Sequence, residues 1–170
     1  MLDSYSQNTG REKRLVDPIL LCSIGELKLG IKASAVKRVL RAAALQGIPG
    51  APSDLVGMLN FHNTAVPVVD LSYLLNQEPL GVDPGKLYVI IETDSVNYTQ
   101  VGLLVSDCYD VVDAPQWREG LSATESTPRG AAVQLGLLNG EMVFRLSEPD
   151  LLSAEAETAC LGTNSKSPIS

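Results

Sequence analysis

His62 is the only histidine among the 170 residues, so acid–base chemistry carried by an imidazole would have to run through it. Such chemistry needs a partner close by: a nucleophilic Ser or Cys, a carboxylate to fix the tautomer, or a second metal ligand. The surrounding Asn60-Phe61-His62-Asn63-Thr64 supplies no carboxylate pair or ligand set. No nucleophile elbow, Walker loop or metal-spaced cluster appears elsewhere. A lone histidine between two apolar runs fits the tip of a hairpin better than a catalytic centre. Cys22, Cys108 and Cys160 are odd in number, far apart and without C-x-x-C spacing, which suggests neither a disulfide framework nor a zinc site. Cys22 lies in an apolar run, where an inert core thiol is expected rather than a nucleophile. The expectation is a protein that is not an enzyme and holds no metal or cofactor, its thiols reduced as in a cytosol. Trp117, in the polar stretch Gln116-Trp117-Arg118-Glu119, suits either an interface anchor or a cap over one end of the fold.

The partners to expect follow from charge. A net charge of -7 and a pI near 4.6 argue against binding a phosphate backbone, which requires clustered Lys and Arg. The partner should be protein, not nucleic acid. Hydrophobic residues make up 45% of the chain, enough for a real core. No run approaches the length of a membrane span, and Met1 to Arg14 is polar, so a soluble, unexported, cytoplasmic protein without membrane insertion is expected. Residues 1–16, with Arg11, Lys13 and Arg14, have little to bury and are expected to be a flexible tail. Residues 154–170 are expected to be a frayed or disordered second tail.

Between the tails, short apolar runs broken by Gly, Pro, Asn and Asp predict an all-β fold. The strand candidates are 19–24, 27–31, 56–61, 65–69, 87–92, 101–105, 109–112, 132–138 and 142–146. Asn139-Gly140 tolerates the positive φ angles of a type I′ hairpin, and Asn63 supplies a left-handed residue in the turn His62-Asn63-Thr64. Pro67 places its strand on an edge or at a bulge, because it cannot donate to a ladder. After Asp70, an N-cap residue, Leu71, Leu74 and Leu75 share a helical face and predict a short helix; a second is expected near 147–155.

The chain also resembles itself. Gly30–Ala42 aligns without gaps to Gly102–Ala114, matching Gly30 with Gly102 and Val39 with Val111. Gly57-Met58-Leu59-Asn60, followed by a turn and a strand, recurs as Gly136-Leu137-Leu138-Asn139. Two matches in the same order predict a duplicated unit, with halves of roughly 17–85 and 86–153 inside a domain of 17–153 and possible strand exchange between them. Residues 34–41 carry helical periodicity, but their counterpart Cys108-Tyr-Asp-Val-Val-Asp suits a strand, so a turn at 33–36 and a strand from about 37 are predicted. Asp110 and Asp113 belong to a solvated face. A groove between the packed halves is the natural binding surface.

These residues carry a resemblance to the CheW-like domain family. It extends from about Pro18 to Leu152, and its most specific parts are Ile48-Pro49-Gly50-Ala51-Pro52, Val56-Gly57-Met58-Leu59-Asn60-Phe61 and Val66-Pro67-Val68-Val69-Asp70-Leu71. The resemblance implies two SH3-like five-stranded β-barrels packed on a shared core. It implies a non-catalytic adaptor between the cytoplasmic tip of a methyl-accepting chemoreceptor and the regulatory domain of a CheA-type histidine kinase. Barrel ends would dock on the kinase domain and the groove would take receptor helices.

By resemblance, the receptor- or partner-binding positions are Val36, Arg38, Gly57, His62 and Asn63. Two depart from the family pattern, which has Arg-Gly at His62-Asn63 and commonly Glu at Arg38. A titratable imidazole replaces a permanently charged fork, losing bidentate carboxylate recognition, and Arg38 would supply positive charge from a neighbouring strand. Val39 is expected to be core. The family's V-D pair is altered to Val105-Ser106-Asp107, which turns the carboxylate to the other face unless a bend or bulge restores it. The departures leave open an alternative: a structural or regulatory module of a pilus or motility system that does not bind receptors.

Overall fold

The computed structural model describes residues 18–73, 75, 77–93, 98–113, 117–119, 133–146 and 159–160. In chain order the strands are β1 (Ile19–Ile24), β2 (Leu27–Lys32), β3 (Val36–Arg41), β4 (Leu55–Phe61), β5 (Thr64–Asp70), β6 (Leu87–Glu92), β7 (Gln100–Val105), β8 (Asp107–Val112), β9 (Trp117–Glu119), β10 (Val133–Leu138) and β11 (Glu141–Leu146). They form a six-stranded sheet, β8-β1-β2-β11-β10-β9, and a five-stranded sheet, β3-β6-β7-β5-β4. The fold is all-β as expected, although the sheets do not close into barrels. A pair between Gln46 and Met58 comes nearest to closure: each N–H donates to the other's carbonyl, at 2.9 and 2.8 Å. It lays the chain that leaves β3, at one edge of the five-stranded sheet, along β4 at the other.

Each sheet mixes strands from both halves of the sequence, and the pairings repeat one for one. Strand β2 is antiparallel to β1 and parallel to β11; its counterpart β7 is antiparallel to β6 and parallel to β5. The shift of 72 residues that carries Gly30 to Gly102 also carries Val39 to Val111, and their partners Val89 and Leu20 stand on the equivalent strands β6 and β1, related by a shift of 69. The bulges coincide too, with Lys37 the extra residue in β3 and Tyr109 the extra residue in β8. The hairpin match needs correction. Asn60 sits in β4 opposite Ala65, whereas Asn139 is in a turn at φ 52°. Aligning the turns sets His62-Asn63 on Asn139-Gly140, a shift of 77, and the parallel rungs Val68–Gly102 and Arg145–Gly30 give the same shift. Gly57 and Gly136 are therefore not equivalents.

The continuous apolar run of β6 is explained by burial on both faces. Val89 and Ile91 join Val101, Leu103 and Val105 against Cys22, Ile24, Leu29 and Ile31 in the core between the sheets. Tyr88 and Ile90 point the other way, into a smaller cluster with Phe61, Val66, Val68 and Leu104. The matching cluster on the six-stranded sheet holds Ile19, Leu21, Leu138 and Val143. Gly30 and Gly102 sit where neighbours cross over the central strands: a Cβ would lie 2.7 Å from Ile19 Cγ2 at the first and 3.0 Å from Val68 Cγ2 at the second.

The helix expected after Asp70 is only a turn among the described residues. Leu75 N–H reaches the Leu71 carbonyl at 3.1 Å and Gln77 N–H the Ser72 carbonyl at 2.7 Å. The buried Asp70 carboxylate accepts from Ser72 N–H and Leu80 N–H, both at 2.9 Å, and so folds the chain back before a helix can propagate. The turn predicted at 33–36 is a single 3₁₀ turn, Ala33–Ala35, with β3 beginning at Val36. Pro67 is not on an edge, because β5 lies between β7 and β4. It is tolerated because rungs alternate from the hairpin's closing pair Phe61–Thr64, leaving Met58–Pro67 a rung that needs no N–H, while β7 pairing begins at Val68. The polar stretch at Trp117 is a strand, β9, paired with β10. The helix expected near 147–155 lies outside the described residues. In the expected tail, Ala159 and Cys160 are helical, and Cys160 is buried with its thiol 3.9 Å from Met58 Sδ.

Candidate partner-binding site

Arg38 and Gly57 end one rung of the five-stranded sheet, running Arg38–Ile90–Gly102–Val68–Gly57. They therefore stand on opposite edge strands, about four strand spacings of ~4.8 Å apart along the sheet. Because β3 runs parallel to β5, Val36 at the start of β3 and the His62-Asn63 tip face the same end of the sheet. The residues matched to the family's site share one sheet without forming one cluster. Arg38 was expected on a strand neighbouring His62, but β3 and β4 are the two edges of the sheet.

Each residue owes its setting to its local structure. His62 and Asn63 both adopt the left-handed region, at φ 49° and 61°, and make a two-residue turn closed by Phe61–Thr64. Only Asn63 was expected there. The twist of such a turn matches the right-handed twist of the flanking strands, and the imidazole lies edge-on to Phe61, with ring centroids 4.3 Å apart. Gly57 is buried, and a Cβ there would lie 2.8 Å from the Gln46 carbonyl oxygen and 2.9 Å from Leu45 Cβ. Its glycine is required by the chain crossing β4. Val36 is half-buried against the inter-sheet core. Arg38 is exposed and in no ion pair among the described residues; its neighbour Lys37 pairs with Glu92 at 2.8 Å on the exposed surface, which contributes little. Trp117 is placed by its backbone opposite Leu138, and its side chain lies outside what is described.

The electrostatics of the two equivalent edges are opposite. Strand β3 carries Lys37, Arg38 and Arg41; the 72-residue shift puts Tyr109 and Asp110 at those positions in β8 and Asp113 just past its end. Asp110 and Asp113 are exposed, as expected. The bend expected near the altered V-D pair falls at Ser106, whose N–H donates to the Ser23 carbonyl at 2.8 Å and whose hydroxyl accepts from Gly25 N–H at 2.9 Å.

Sequence reasoning missed a set of exposed apolar side chains. Val39, expected in the core, is 40% exposed, and its counterpart Val111 is 57% exposed. Each sits on an edge strand, where only one flank is covered. The signal was present in the charges around Val39, Lys37-Arg38 and Arg41. Tyr109 is also exposed, as are Leu137 and Met142, which face each other across the β10–β11 hairpin. Among the described residues no three His, Cys, Asp or Glu side chains form a metal-holding group, and no helix is long and apolar enough to cross a membrane.

These features define a class of protein: a duplicated two-sheet β-module whose halves exchange strands. The chain belongs to the CheW-like domain family, whose family model matches residues 18–156. In fold it is similar to the scaffolding protein TtCheW from Thermoanaerobacter tengcongensis, with a TM-score of 0.69 over 83% of this chain and 95% of that one, at 19% identity. In sequence it is similar to Protein FrzA of Myxococcus xanthus, 33% identical over 61 residues, or 36% of this chain. That match spans 38% of the length of Protein FrzA.

Proposed function

We infer that this chain is a non-catalytic cytoplasmic adaptor that couples a methyl-accepting chemoreceptor to a CheA-type histidine kinase in a chemotaxis or motility pathway. The observation that carries this reading is the family match across residues 18–156, which takes in both sheets. Similarity to a protein described as scaffolding, and the acidic overall charge suited to protein rather than nucleic-acid partners, support it. In this reading the His62-Asn63 end of the five-stranded sheet, with Val36, Arg38 and Gly57, meets the receptor, and a regulatory kinase domain docks elsewhere on the module.

The test is titration of the purified chain with a CheA-type regulatory domain and with receptor-tip fragments. Saturable binding is expected, and deletion of the chain should abolish receptor control of the kinase. No binding to either partner at tens of micromolar, about the weak end of specific association, refutes the coupling role.

The edge-on packing of His62 against Phe61 favours a second reading, in which the imidazole serves the hairpin and the module assembles with motility machinery without touching a receptor. His62→Arg separates the two. Under coupling it restores a guanidinium fork and tightens receptor binding; under the second reading receptor fragments fail to bind either form.

A further inference from the structure

Cys22 and Cys108 are 86 residues apart in sequence and face each other across β1 and β8, their sulfurs 3.2 Å apart. Directly opposed residues of antiparallel strands have Cα atoms about 4.5–5.5 Å apart, inside the range of about 4.4–6.8 Å that a disulfide spans. A bond of about 2.05 Å needs the sulfurs to close by roughly 1 Å, a side-chain movement rather than a strand movement. We propose that Cys22 and Cys108 form an oxidation-responsive dithiol that closes to a reversible disulfide on exposure to a hydroperoxide.

The two thiols differ in the way such a pair requires. Cys22 is wholly buried in the inter-sheet core, whereas Cys108 is half-buried on the edge strand of its sheet, where an oxidant reaches it. The hydrogen bond between them lowers the Cys108 thiol below its ordinary value, against burial and the nearby Asp107 carboxylate. The same bond, then burial and the charges of Cys108 and Asp107, pushes the Cys22 thiol far up. Cys108 is thus the more acidic thiol of the pair as well as the less buried, which makes it the attacking sulfur.

The chemistry balances with the hydroperoxide as the two-electron oxidant. The Cys108 thiolate attacks the terminal peroxide oxygen, the O–O bond breaks, and the alkoxide leaves and takes a proton as the alcohol, giving Cys108 sulfenic acid. The Cys22 sulfur attacks the sulfenic sulfur, the S–S bond forms, the S–O bond breaks, and hydroxide leaves with the Cys22 proton as water. Both thiols are oxidised and the peroxide is reduced. The bond joins the first strand to a strand of the second half, stapling the edge that carries Tyr109 and Val111.

The full reduced chain provides the test. It is treated with tert-butyl hydroperoxide, blocked with iodoacetamide under denaturing conditions, digested without reductant and mapped by mass spectrometry. The expected product is a linked pair of peptides containing Cys22 and Cys108, lighter by two hydrogen atoms and released by dithiothreitol. Cys160→Ser, at the buried thiol near Met58, should leave that product unchanged, and Cys108→Ser should remove it. Overoxidised Cys108 with Cys22 alkylated in the unsubstituted chain, or links that join other cysteines or two copies instead, overturn the proposal without reference to any variant.

Discussion

Replacing Gly57 by Ala tests whether this position is held by the fold or by a partner. An added Cβ would stand 2.8 Å from the Gln46 carbonyl oxygen, where ordinary contact begins at 3.4 Å, so the crossing chain must retreat by about 0.6 Å. That retreat stretches the two hydrogen bonds between Gln46 and Met58 from 2.8 and 2.9 Å to beyond the useful range for N–H···O. Each contributes about 1 kcal/mol net, so losing both costs about 2 kcal/mol, similar to the ~1–3 kcal/mol of overpacking if the chain holds its place. Removing a glycine from a strand interior returns about 0.5–1 kcal/mol. The balance is a loss of about 1–1.5 kcal/mol, which lowers the Tm of a chain this size by about 2–6 °C. Thermal unfolding measures the shift, and hydrogen exchange at the Gln46 and Met58 amides locates it. An unchanged or raised Tm with both amides as protected as before refutes the reasoning, and would leave partner contact as the reason for glycine.

Four further substitutions probe the surrounding framework. Tyr88 is fully buried and its hydroxyl donates to the Ala43 carbonyl; Tyr88→Phe should cost about 1–2 kcal/mol in urea unfolding with m unchanged. Asp70→Ala strands the Ser72 and Leu80 amides; a loss of about 2–4 kcal/mol is expected, with faster exchange at both amides. At the β4–β5 tip the sign should depend on the residue: Asn63→Gly at φ 61° should stabilise by about 0.5 kcal/mol, while His62→Val at φ 49° should destabilise by about 1–2 kcal/mol. Equal effects from the two tip substitutions would show that the turn geometry is not what selects these residues.

The strands and the duplication were legible because both rest on local pattern. Alternation and turn residues located the long strands, and the Gly30/Gly102 and Val39/Val111 matches marked equivalents that the registers reproduce. What was not legible depends on neighbours distant in sequence. Pro67 alone implies an edge or a bulge, yet its strand is interior because the ladder on one side begins a residue later. Asp70 and the leucines after it imply a helix, but the carboxylate is engaged by Leu80 ten residues on. The Gly57/Gly136 match was out by two residues because a two-residue turn fixes register more strictly than a shared Gly-x-x-Asn does. Of the site, the His62-Asn63 turn was readable from its residues. The separation of Arg38 from it was not, because sheet order cannot be read from either strand.

The duplication and the charge pattern together constrain how partners can be chosen. Symmetry at the backbone gives the module two equivalent edge strands among the described residues, β3 and β8, with the same bulge and the same exposed valine. If backbone pairing alone decided recognition, one partner would fit both. The side chains prevent this: where β3 presents Arg38 and Arg41, β8 and the residue after it present Asp110 and Asp113, so a surface that attracts one edge repels the other. Like charges brought together cost several kcal/mol, more than the shared apolar valine restores. The halves that fold as twins therefore cannot bind as twins.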